Sequence, residues 1–507
     1  MAQRETVTIT QGSLRGLTEG NHLLWRGIPY AAPPMGGLRW RAPRPGPNWN
    51  GIRTATEFGP SALQPPQPGL DHSQPPSEDC LYLNVCAPAE PPPAGGRPVL
   101  VWLHAGGYLI GSGTMFGEGR AFADAGIVMV TLNYRLGALG FAHLGGIFGD
   151  VEADAGICGL LDQIAALRWV RDNIAAFGGD PRRVTIYGVS AGGKSVGNLL
   201  SSPAARGLFN QAIASSGGAD HVATTETGTR LASRLLDELD RKDIHDLREI
   251  GGAEILAAQQ RIRTGTEATW IWRPTIHPLV LPVVPTEAIA RGSAAGVRLM
   301  AGNGGNEAST YPAMLGANGI EVATAPADDV LPAILGSEGA ATLLETIGRS
   351  RGLDNVTDRK LAAMGDERYA IPTQRMADAQ STHGNVYRYR FDVTSPGYPP
   401  AVNGGHATEV PMVWHNTAAT PGMTEPIDPA RARLGDQLHQ VWVNFVHTGV
   451  PSADGLPSWP RYDTTTRPVL ILDDHSHIEN DPRREERLAW GTASWPSGTW
   501  FPIPDGR

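Results

Sequence analysis

The feature that most constrains this chain is the stretch FGGDPRRVTIYGVSAGGKSVGNLL, residues 177–200. Its middle, Val184–Tyr187, is a short β-branched and aromatic run that reads as a buried strand. Gly188-Val189-Ser190-Ala191-Gly192 follows, a G-x-S-x-G pentapeptide, and from Lys194 to Leu200 apolar residues recur at helical spacing without a proline. A strand, a tight turn and a helix in that order are what a nucleophile elbow needs. The turn forces Ser190 into a strained conformation with its hydroxyl exposed, and side chains at 188 and 192 would collide with the neighbouring strand and helix. The helix adds unpaired N–H groups and a positive dipole end beside the serine. In a chain with 62 glycines the pentapeptide alone could arise by chance, so its flanks carry the inference.

The remaining sequence describes a large globular protein. With 507 residues, 41% of them hydrophobic and 18% charged, it can bury a large core and is not disordered. Length alone would suggest about three domains. A net charge of −9 with no basic block argues against nucleic acid or an anionic membrane as a partner. No apolar run approaches the ~20 residues a bilayer span requires. The N-terminal MAQRETVTITQGSLRG passes straight into an alternating strand pattern, which leads us to expect a cytoplasmic protein. Cys80, Cys86 and Cys158 are too few and scattered for a disulfide framework or a zinc site, and free buried thiols are expected, with Cys80 and Cys86 in one strand.

Taken in order, Val7–Ile9 and Leu14–Gly16 read as a hairpin around Gln11-Gly12. Leu24–Pro45 is rich in Pro and Gly and reads as a long ordered loop packed by Trp25, Tyr30 and Trp40; Phe58–Ser77 reads as a second Pro-rich loop. Strands are expected at Leu83–Ala87, Val99–Leu103, Ile127–Asn133, Val184–Tyr187, Gln211–Ser215, Val297–Ala301, Val386–Phe391 and Val469–Leu472. Several are continuous apolar runs, as in strands covered on both faces. Between them lie helical patterns such as Leu160–Ile174, which puts Leu160, Ile164, Leu167, Val170 and Ile174 on one face. The alternation predicts an α/β fold with a doubly wound, mostly parallel sheet. Two more charged helical blocks, 225–263 and 325–382, read as insertions that cap and wall in the active site. With no linker and no repeat, residues 1–507 read as one domain, against the length prior.

A nucleophilic serine needs a base, and the base an orienting acid. His406 stands out because it closes the loop Pro399–His406 beyond the strand ending near Phe391; loops at the carboxyl ends of strands carry the reactive groups of open α/β sheets. His383, His439 and His447 sit in helix-like surroundings. For the acid, Glu307 follows a strand and a glycine-rich turn, and Asp392 competes because it too ends a strand; Glu409 is too near His406 in sequence to orient it easily. An oxyanion hole needs backbone N–H groups aimed at one point. Gly106 and Gly107, in the turn after the strand Val99–Leu103, have no Cβ to block a ligand, and Ala191, after the serine, supplies a third amide.

These residues lie in segments that resemble type B carboxylesterases almost throughout: WRGIPYAAPP (25–34), SEDCLYLNV (77–85), HAGGY (104–108), NYRLGALGF (133–141), LLDQIAALRWVRDNIAAFGGDP (160–181), GVSAGG (188–193), GNGGNEA (302–308), GGHATEVPMVW (404–414), VWVNFVHTGVP (441–451) and LPSWPRYD (456–463). The resemblance implies the α/β-hydrolase fold, Ser190 as nucleophile, Glu307 as acid, His406 as base and Gly106, Gly107 and Ala191 as oxyanion donors. It also implies a supporting role for Ser216. Three residues depart from the family pattern. Ala62 stands where a cysteine partner of Cys80 is common, Val189 where a glutamate commonly precedes the nucleophile, and Ala105 where the HGGG signature has a glycine.

The expected activity is hydrolysis of small to medium, neutral carboxylic esters through an acyl-enzyme, with no metal or organic cofactor implied. An acyltransferase or perhydrolase would share the acyl-enzyme, a peptidase would share the machinery, and a non-catalytic binding protein on this fold would lack the serine that this chain keeps.

Overall fold

The structure, a computed structural model, describes residues 5–66, 74–262, 271–314, 319–393, 404–416, 429–493 and 495. Residues 67–73 of the second Pro-rich loop and residues 399–403 of the loop before His406 lie outside them, as does Arg263 at the end of the first helical block.

A small sheet is built from β1 (Thr6–Ile9), β2 (Gly12–Arg15) and β5 (Ile52–Thr54). The main sheet contains β3 (Leu17–Glu19), β4 (His22–Pro29), β6 (Tyr82–Pro88), β7 (Arg97–Leu103), β8 (Val128–Leu132), β9 (Gly179–Val189), β10 (Gln211–Ser215), β11 (Arg298–Gly304), β12 (Val386–Phe391), β13 (Pro468–Leu472) and β14 (His477–Asn480). Their order is β14-β13-β12-β11-β10-β9-β7-β8-β6-β4-β3. From β8 through β13 all neighbours are parallel, and antiparallel strands close both edges. The mostly parallel, doubly wound sheet is therefore present, and all eight strands expected from Leu83 onward lie in it.

Strand alternation explains the continuous apolar runs. Val99, Val101 and Leu103 of β7 join the core on one face, while Leu100 and Trp102 join the core on the other. The first core is covered by the helix Cys158–Asn173, whose Leu160, Ile164, Leu167 and Val170 are buried as the periodicity predicts. The second is covered by the helix Pro429–Thr448 through Leu438, Val441, Trp442 and Phe445. The charged blocks are helical as expected, with Thr225–Leu239, Ile244–Glu249 and Gly252–Arg261 in one and Ala327–Arg351, Val356–Gly365 and Ile371–Ser381 in the other.

Three expectations need correction. Leu24–Pro29 is not loop: it lies in β4, paired with β6 across a bulge between Trp25 and Ile28. The bulge tolerates the glycine that disguised the strand, since Gly27 has φ +64° and a Cβ there would lie 2.5 Å from the Glu57 carbonyl oxygen. Cys80 is not in a strand with Cys86, because β6 begins at Tyr82; all three cysteines are nonetheless free and buried. Finally, the helix Ala327–Arg351 is long and apolar enough, at mean hydropathy 1.2, to cross a membrane by those criteria alone. It breaks at Gly336 (φ +74°) and packs Val330, Leu343 and Ile347 into a third core.

Candidate active site

Ser190 emerges from β9 with φ +58° and ψ −122°, a conformation costly for a residue with a side chain. It is held there from both sides. The Ser190 amide donates to the Ser215 carbonyl oxygen at 3.0 Å, and the Lys194 amide donates to the Ser190 carbonyl at 2.8 Å. The two glycines of the pentapeptide are required sterically. A Cβ on Gly188 would lie 2.3 Å from the Gly192 carbonyl carbon, and one on Gly192 would lie 1.9 Å from the Leu103 carbonyl oxygen. The second close approach seats the start of the helix Ala191–Ser201 on the end of β7, where the turn with Gly106 and Gly107 begins.

That turn is fixed by its neighbours. His104 stacks on Tyr134 with centroids 4.2 Å apart, its Nδ1 lies 2.8 Å from the Ala105 carbonyl oxygen, and Tyr134 Oη donates to the His104 carbonyl at 2.9 Å. Burial pushes the His104 imidazole down to about 4, so it is neutral at pH 7. Gly106 (φ +114°) and Gly107 (φ +62°) use backbone space closed to other residues. Among the described residues, the amides of Gly106, Gly107 and Ala191 donate to no protein acceptor. Three N–H groups are thus left for a ligand on either side of the serine.

Ser190, Ser216, Glu307 and His406 follow β9, β10, β11 and β12, four consecutive neighbours in the parallel sheet, and so leave it at the same edge. Glu307 and His406 meet: Nδ1 of the histidine lies 2.6 Å from Oε2 of the glutamate. The other carboxylate oxygen accepts from the Gly304 amide and the Ser216 hydroxyl, both at 2.6 Å. Both partners are buried, with side-chain exposures of 5% and 1%. Asp392 does not take part; it is held by Arg390 through contacts of 2.7–3.0 Å. Glu409 is fully buried without bonding His406, and burial, then the nearby Glu307 charge, push its carboxyl up to about 7. His383, His439 and His447 are spent on the carbonyls of Ala290, Val413 and Ala125.

One neighbour had no signal in the sequence. The Tyr369 ring lies against the His406 imidazole with centroids 4.2 Å apart and 27° between planes. It comes from Asp366–Ala370, a single π-helical turn inside the second helical block. The departures from pattern also have visible settings. Val189 is completely buried among Trp102, Tyr187 and Ile213, and Ala62 lines a small cavity with Cys80, whose thiol is free.

A parallel-sheet scaffold with a strained serine at a strand-to-helix turn is an α/β-hydrolase. Residues 3–490 match the model of the Carboxylesterase family, and the chain belongs to that family. Para-nitrobenzyl esterase of Bacillus subtilis (strain 168) is 36% identical, over 95% of this chain and 98% of its own length. Liver carboxylesterase 1 of Oryctolagus cuniculus is 32% identical over 86% and 83%. Among solved structures, a PNB esterase matches 96% of this chain and 100% of its own, with TM-score 0.84 and 35% identity. A carboxylesterase of Geobacillus stearothermophilus gives the same coverage and TM-score at 36% identity. The protein is an ester hydrolase acting on small-molecule esters, and the binding-protein and acyltransferase readings are not favoured.

Proposed function

We propose that Ser190, His406 and Glu307 form the catalytic triad, with Gly106, Gly107 and Ala191 as the oxyanion hole, and that the substrates are small to medium neutral esters cleaved through an acyl-enzyme. The observation that carries this reading is the buried 2.6 Å contact between Glu307 and His406 at the sheet edge where the strained serine emerges. His406 takes the Ser190 proton as Oγ attacks the ester carbonyl. Charge on the carbonyl oxygen is met by the three free amides, each worth about 3 kcal/mol in such a site. His406 then protonates the departing alcohol, and water repeats the sequence on the acyl-enzyme. The Glu307 carboxylate, saturated by Gly304 and Ser216, holds the imidazolium in one orientation. Three buried thiols with no disulfide among them fit a reducing compartment, and the cytoplasm is part of this proposal.

Ser190→Ala should lower kcat by about 10⁴ or more while leaving the melting temperature near that of the parent, and an organophosphate should label Ser190 alone. Labelling at another serine, or near-normal turnover, would overturn the assignment. Neutrality rests on Val189, an apolar residue in an apolar core where a carboxylate would add attraction for a cation. The comparison is kcat/KM for butyrylcholine against butyrate of 3,3-dimethylbutanol, its uncharged isostere. A preference for the cation above roughly 10-fold, about 1.4 kcal/mol, would reveal a cation site and refute the neutral preference.

A further inference from the structure

The elbow helix Ala191–Ser201 carries a single charged side chain, Lys194, four residues after the serine. It is buried, and a buried ammonium without partners is strongly destabilising, whereas an alkyl chain of similar size would fill the space without that penalty. Its contacts show what the charge is attached to. Nζ donates to the Arg368 carbonyl oxygen at 2.9 Å and to the Gly217 carbonyl oxygen at 3.2 Å, and lies 5.3 Å from the centroid of the Tyr369 ring. Arg368 and Tyr369 are consecutive residues of the π-helical turn, and Tyr369 is the ring stacked on His406. The Tyr369 hydroxyl is held in turn by Tyr311 Oη, which donates to it at 2.7 Å. An unbroken chain of contacts therefore runs from the turn that presents Ser190, through Lys194 and the π-helical turn, to the face of the imidazole.

A single bond at Nδ1 fixes one point in the plane of the His406 ring but leaves the ring free to tilt about it. A flat aromatic neighbour removes that tilt. We propose that Lys194 is a positioning residue for ester hydrolysis: its ammonium pins the Asp366–Ala370 turn to the elbow helix so that Tyr369 holds the His406 ring in the plane that serves Ser190. This rests on His406 being the base.

The groups that face the ammonium are Asp220 and His221 after β10, Glu367 and Arg368 in the π-helical turn, and Glu307 after β11. Burial lowers the lysine to about 8, with Asp220 and Glu367 opposing that shift and Arg368 adding to it. The ammonium is accordingly charged at pH 7 and gives up its charge, and with it the strength of its bonds to the two carbonyls, at lower pH than an exposed lysine would.

The test is the pH profile of kcat and KM for a neutral p-nitrophenyl ester, corrected for uncatalysed hydrolysis. The parent should lose kcat above pH 8 with KM little changed. Lys194→Met should lower kcat at pH 7 by roughly 10- to 100-fold, the scale of a small misplacement, keep KM within about 2-fold, and abolish the alkaline fall. Tyr369→Leu should do the same, Tyr369→Phe should retain the ring and most of the rate, and the Lys194→Met/Tyr369→Leu pair should be no worse than either alone. An unchanged pH profile in Lys194→Met, or additive losses in the pair, would overturn the proposal. Should Lys194→Met fail to fold, Tyr369→Leu decides: an alkaline fall that persists there refutes the role. His406→Asn with normal turnover would overturn the base assignment instead, whereas an inactive His406→Asn beside an unaffected Lys194→Met would overturn only the role of the lysine.

Discussion

β11 and β12 lie side by side and parallel, and each is followed by an acidic residue, yet the two acids are used in opposite ways. Glu307, three residues past β11, is 1% exposed and bonded to His406, Ser216 and the Gly304 amide. Asp392, directly after β12, is 22% exposed and held by Arg390. The difference comes from the turns. Residues two apart on an extended strand share a face, so Arg390 stands beside Asp392 and captures it. Glu307 instead follows a glycine turn laced to the segment that brings in His406: Gly305 donates to the Phe391 carbonyl at 2.8 Å, Asn306 to Gly404 at 3.0 Å, and His406 to the Glu307 carbonyl at 3.1 Å. A Cβ on Gly304 would lie 2.1 Å from the Gly404 carbonyl oxygen, so this close seam requires glycine. Being at a strand end makes an acid available; what the backbone of its turn touches decides whether it meets His406.

Exchanging each acid for its amide should break that comparison if it is wrong. Glu307→Gln preserves shape but removes the negative charge facing the imidazolium, and kcat should fall by on the order of 10⁴. Steady-state rates on one ester suffice to check it. Ser216→Ala should be intermediate. A hydrogen bond to a charged group is worth about 1.5–3 kcal/mol, and Gly304 remains as a donor, so a loss of roughly 10- to 100-fold in kcat is expected, with KM little changed. Asp392→Asn should be smallest, within about 3-fold in kcat, with a shift in melting temperature corresponding to at most about 1 kcal/mol for a partly exposed ion pair. If Asp392→Asn were the more damaging exchange, the acid would have been misassigned.

The same contrast explains how much could be read in advance. The elbow was legible because its constraints are local: strand, two glycines, serine and helix are contiguous, and the glycines are fixed by contacts of 2.3 and 1.9 Å at that turn. The parallel sheet was legible because two-sided burial leaves continuous apolar runs such as Val99–Leu103. Pattern alone left Glu307 and Asp392 in competition; the family resemblance favoured Glu307, and the contacts of the two turns separate them. β4 was missed because a bulge with a glycine and a nearby proline imitates a loop until its partner β6 is in place.

What the sequence by itself determined, then, is the strand–turn–helix that presents Ser190, the succession of strands along the chain, and the family to which they belong, because each depends on residues adjacent in the chain or on periodicity within one element. Tertiary structure alone decided the rest. Glu307 and His406 are 99 positions apart, and Lys194 and Arg368 are 174 apart. Tyr369 comes from a helical insertion with no motif of its own, yet it lies flat on the imidazole. Such contacts arise where separate elements leave the sheet at a common edge, and no local preference encodes which side chains will meet there.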